Sequence, residues 1–77
     1  MRIRFGLPRG ERVTLEIYNV RGERVAALAR DKTMPAGYHA LVWDGDDRRG
    51  GPAASGVYLC RLRAGPTVMT RRLVLLR

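Results

Sequence analysis

The chain reads as short stretches in which apolar and polar residues alternate, separated by glycine and proline. Residues 2–7 alternate strictly and put Ile3, Phe5 and Leu7 on one face, as a half-buried strand requires. A turn at residues 8–11 follows. Residues 12–20 alternate again, with Val13, Leu15 and Ile17 predicted inward and Thr14, Glu16 and Tyr18 outward. Residues 19–22 read as a hairpin loop, with Gly22 at the position that needs a positive φ. Residues 23–30 carry helix-friendly alanines. They are few for a helix and directly follow a hairpin turn, so they predict a strand. Residues 31–37 predict a loop, with Met34-Pro35-Ala36-Gly37 as its turn. Residues 38–43 predict a strand whose inward set is His39, Leu41 and Trp43.

Residues 44–56 form a polar loop rich in Asp and Gly, and the pair Ser55-Gly56 delivers the chain into the next strand. In that strand, residues 57–64, Tyr58, Cys60, Leu62 and Ala64 share the expected core face. Val57, Leu59, Arg61 and Arg63 share a wetter one. Its place between the loop and the final strand predicts a central position. Gly65-Pro66 turns the chain back into a last strand, residues 67–76, before Arg77. Six to seven strands with no convincing helix and connections short enough for hairpins or arches predict an all-β antiparallel sandwich or barrel.

Length and composition narrow this further. Seventy-seven residues allow one domain, residues 1–77, with a modest core. One cysteine excludes an internal disulfide, and no Cys/His cluster suits a structural zinc, so stability must come from packing or from a partner. No apolar run is long enough to span a membrane, and Met1-Arg2-Ile3-Arg4 opens no signal peptide. The formal net charge is +8, from 14 Arg and one Lys against seven acids. Such a balance suggests a polyanion partner, nucleic acid or a charged surface glycan. The arginines are scattered and lack interleaved exposed aromatics, which disfavours such a partner.

Candidate chemistry is sparse. Asp44-Gly45-Asp46-Asp47-Arg48-Arg49-Gly50 has alternating acids before a glycine, as a calcium loop does. No bidentate Glu follows, and two arginines would oppose a dication, so an Asx-type turn is the expected role. His39 has no second ligand or base at useful spacing. Cys60 is expected in the core as a small hydrophobe, and Ser55 belongs to a turn. Trp43 is expected as the core anchor beneath the Asp/Gly loop. No acid, base and nucleophile can be assembled, so the sequence points to a non-enzyme with no cofactor, metal or small-molecule substrate.

The run Val13-Thr14-Leu15-Glu16-Ile17-Tyr18-Asn19-Val20-Arg21-Gly22-Glu23-Arg24-Val25 resembles the first hairpin of the immunoglobulin-like domain related to the flagellar hook-capping protein. Pro35-Ala36-Gly37-Tyr38-His39, Val42-Trp43-Asp44-Gly45, Ala54-Ser55-Gly56-Val57-Tyr58 and Thr70-Arg71-Arg72-Leu73-Val74-Leu75-Leu76 resemble its later landmarks, in order. The same pattern is similar to the C-terminal sorting domains of type IX secretion substrates. Cys60 departs from it, standing where relatives usually carry an aromatic residue, and Met1 falls where the family usually continues upstream. The resemblance implies an immunoglobulin-like antiparallel β-sandwich. It also implies a place at the C-terminus of a longer secreted or cell-surface bacterial protein.

The last strand offers the candidate site. Leu73, Val74, Leu75 and Leu76 are apolar on both faces, whereas a strand solvated on one side alternates. The expected partner-binding residues are Arg71, Arg72, Val74, Leu76 and Arg77, acting by strand-edge and charged contacts. Under the resemblance the partner is secretion machinery, which makes the chain a sorting or surface-attachment module. The alternative is other copies of the chain, as a homo-oligomer in an extracellular filament or cap.

Overall fold

A computed structural model describes residues 1–47 and 50–76. Six antiparallel strands form two sheets. In chain order they are β1 (Arg2–Leu7), β2 (Glu11–Asn19), β3 (Arg24–Met34), β4 (Gly37–Val42), β5 (Gly56–Ala64) and β6 (Thr67–Leu75). One sheet pairs β1 with β4; the other runs in the order β3-β2-β5-β6. The all-β sandwich expected from the alternation is the architecture observed, and β5 is interior to its sheet.

The core lies between the sheets and follows the predicted faces. Ile3, Phe5 and Leu7 from β1 meet Val13, Leu15 and Ile17 from β2 and Tyr58, Cys60, Leu62 and Ala64 from β5, all buried. The hairpin at Asn19 is held as expected. Its side-chain Oδ1 accepts the N–H groups of Arg21 and Glu23, each at 3.0 Å, and Gly22 takes a φ of 82°. Gly6 is a different case. Tyr38, opposite it on β4, lays its ring over the outer face of the glycine, and a Cβ there would meet the ring at 3.2 Å. Cross-strand aromatic cover of this kind replaces the packing a glycine lacks.

Trp43 is the largest fully buried side chain, at 1% exposure. Its ring meets Tyr58 edge-on at 5.1 Å between centroids, and its Nε1 donates to Asp46 O at 3.0 Å. The Tyr58 hydroxyl donates to Ala54 O at 2.6 Å. The two aromatics thus tie down both ends of the long loop between β4 and β5. Trp43 lies one residue past the end of β4, yet it still exchanges both backbone hydrogen bonds with Met1, at 2.7 and 2.8 Å.

The expected loop at residues 31–37 is the main correction. β3 continues to Met34, leaving only Pro35 and Ala36 between it and β4. Asp31 sits at φ 48° as an extra residue opposite Thr14, whose Oγ1 accepts the Asp31 N–H at 3.0 Å. This bulge is one of three register shifts along the β2–β3 pair. β3 is an edge strand, so polar residues on it stay wet, and a run that lacks alternation can still hold a ladder.

Replacing Trp43 by Ala should cost about 3–5 kcal/mol. Replacing exposed Val20 by Ala should leave stability unchanged. Urea denaturation followed by far-ultraviolet circular dichroism compares the two.

Candidate assembly surface

β6 pairs with β5 along its whole length, and the register decides where each candidate residue points. Leu73 lies opposite Tyr58, Arg71 opposite Cys60 and Met69 opposite Leu62. Cross-strand partners share a face, so Met69, Arg71, Leu73 and Leu75 take the side facing the other sheet. Leu73 and Leu75 pack against the core. Val68, Thr70, Arg72 and Val74 take the outer side, opposite Arg63, Arg61, Leu59 and Val57.

The candidate residues therefore divide between two surfaces. Arg72 and Val74 lie on the outer face, where Val74 and Leu59 form part of an uncovered apolar strip. Leu76, just past the strand, is 83% exposed. Arg71 points the other way, and its Nη1 donates to Arg4 O of β1 at 2.8 Å. Arg77 lies outside the described residues. The two-sided apolar pattern of residues 73–76 thus resolves into Leu73 and Leu75 on the core and Val74 and Leu76 in solvent.

Beside this strip, on the outer face of β2 and β5, sits a small polar network. Glu16 accepts hydrogen bonds from Arg24 Nη1 and from the Tyr18 hydroxyl, both at 2.9 Å. The Arg24 guanidinium holds the Glu16 carboxyl below the usual glutamate range, with partial burial opposing it and the Tyr18 hydroxyl adding to it. The same hydrogen bond, with burial, raises the Tyr18 phenol. Arg61 lies over the Tyr18 ring, 5.9 Å from its centroid.

The remaining candidates hold structural positions. Asp44 Oδ1 accepts the Asp46 N–H at 3.0 Å, and Asp47 Oδ1 accepts the Gly51 N–H at 3.3 Å. These carboxylates cap turns of the loop, as expected; Arg48 and Arg49 of the same motif lie outside the described residues. Among the described residues no three His, Cys, Asp or Glu side chains gather as a metal site would need. His39 packs on Phe5, with ring centroids 5.5 Å apart, and its Nε2 lies 2.7 Å from Pro35 O. Cys60 is buried, and burial pushes its thiol up, away from the thiolate a nucleophile needs. Ser55 is exposed in the bend before β5.

A feature that alternation alone does not reveal is the groove between β1 and β6. It holds about 140 Å³ and is lined by side chains of both sheets, among them Ile3, Phe5, Leu62, Met69 and Arg71. Its signal is a count of strands per sheet, which depends on pairing order and not on local pattern.

Two antiparallel sheets enclose a buried Trp at one end of the sandwich, beside a tyrosine-pinned turn into β5. A family model, described as the FlgD Ig-like domain, matches residues 2–66. The chain belongs to the FlgD Ig-like domain family. The FlgD-type match covers β1 to β5 and ends before β6 begins, so the last of the five sequence landmarks lies beyond it. No curated protein and no solved structure matches the chain.

Because its pKa is depressed on folding, Glu16 contributes stability above its unfolded value, about 4.3. That contribution is lost as pH falls through the lower folded value. Glu16→Gln should therefore be less stable than the parent near neutral pH, with the gap closing in acid. Urea midpoints measured across that pH range check it.

Proposed function

We propose that the chain is a non-catalytic assembly module, a hook-capping-type immunoglobulin-like domain that joins copies of itself edge to edge in an extracellular bacterial cap or filament. The observation that carries this reading is membership in the FlgD Ig-like family over β1 to β5. The open side of β6 supports it. β6 ends its sheet, and Arg72, Val74 and Leu76 put a mixed apolar and cationic surface beside its free backbone edge. Strand-edge pairing supplies main-chain hydrogen bonds, and exposed apolar side chains supply burial.

The sorting role draws on the last strand and uses the same surface, in contact with secretion machinery. The +8 charge separates self-association from polyanion binding. Copies of one cationic chain repel, so added salt screens the repulsion and favours their contact. Binding to nucleic acid weakens with salt as counterions are no longer released to advantage.

Sedimentation of the purified chain should show concentration-dependent association that strengthens with salt. Val74→Lys should reduce it without altering the circular dichroism spectrum. A chain that stays monomeric at millimolar concentration and high salt overturns the assembly reading and leaves a tag-like role as the better account of β6.

A further inference from the structure

The two sheets are unequal: β1 and β4 face four strands. The shortfall lies over β6. Its inward-facing Met69 is 45% exposed, and inward-facing Arg71 is exposed as well. The edge of β1 beside this gap is unpaired. Met1 directs both backbone groups at Trp43, so with a period of two Ile3, Phe5 and Leu7 bond β4. The N–H and C=O groups of Arg2, Arg4 and Gly6 therefore point into the gap. Arg4 O accepts the Arg71 guanidinium.

We infer that the β1 edge and the groove beside it form a docking site for an extended strand of a partner protein that alternates in side-chain direction and carries apolar residues and one carboxylate on its inward face. Its backbone would pair with Arg2, Arg4 and Gly6. Its apolar side chains would fill the groove over Ile3, Phe5, Leu62 and Met69. Taking the Arg4 carbonyl displaces Arg71, whose guanidinium then faces a closing apolar interior and needs a carboxylate. Among the described residues the carboxylate ion pairs use Arg9, Arg12, Arg21 and Arg24, and none uses Arg71.

Charge selects the source. The sheet-edge strands β1, β4 and β6 contain no acidic residue, and the one acid in β3, Asp31, is paired with Arg12. A second copy of this cationic chain therefore offers no strand of the right chemistry, whereas an acidic partner is also drawn by Arg2, Arg4 and Arg71. The site is separate from the outer side of β6, and its occupation does not depend on self-association.

The test uses a short capped peptide of alternating valine and threonine with one glutamate among the valines. Control peptides carry glutamine or lysine at that position. Titration into the isotope-labelled chain should protect the Arg4 and Gly6 amides from exchange, with the glutamate peptide binding about tenfold tighter than the glutamine one. Arg71→Ala should erase that difference, and Arg71→Glu should transfer the preference to the lysine peptide. Spectra of both variants report that the fold is kept. No binding at millimolar peptide, equal affinity of the glutamate and glutamine peptides for the parent chain, or protection confined to β4 or β6 overturns the inference.

Discussion

The contact between Trp43 and Tyr58 is the interaction on which the rest of the sandwich depends. It joins the end of the smaller sheet to the middle of the larger one. Trp43 also closes the β1–β4 pair through Met1 and anchors the Asp/Gly loop through Asp46. Tyr58 fixes the turn into β5 through Ala54. In a chain with no disulfide, this one buried pair acts as a cross-link: it fixes how the sheets face each other while every hydrogen-bonding group it uses stays satisfied.

Where one face is buried and the other wet, the sequence is easy to read. β1, β2 and β5 alternate cleanly, and their predicted inward residues are the buried ones. β3 resists such reading because each register shift against β2 inserts an extra residue and reverses the facing of the residues beyond it. Ala26 and Ala27 carry no strong preference to reveal it, and Asp31 looks like loop material until Thr14 is seen to satisfy its backbone. β6 was legible in its apolar content but not in its division of labour. Which of Leu73 and Val74 faces the core depends on pairing with Tyr58 and Val57, a long-range fact.

The candidate surface was legible to the same extent. Charge and apolar character marked residues 71–76, yet adjacent residues on a strand serve opposite faces, so Arg71 and Arg72 have different neighbours. The Arg4–Arg71 contact spans almost the whole sequence and brings the first strand against the last. An inward-pointing arginine at an uncovered edge also deters indiscriminate strand pairing, since any occupant must offer it an acceptor.

The bulges of β3 set the stoichiometry of any contact made through the larger sheet. Three register shifts and the left-handed Asp31 twist that edge away from flat pairing, which leaves β6 as the one side of this sheet suited to joining another. Two copies meeting through β6 are related by a two-fold axis, and the merged sheet then ends in β3 on both sides. Such a union closes at a pair, so the proposed cap or filament is built from two-fold pairs that a second contact surface links.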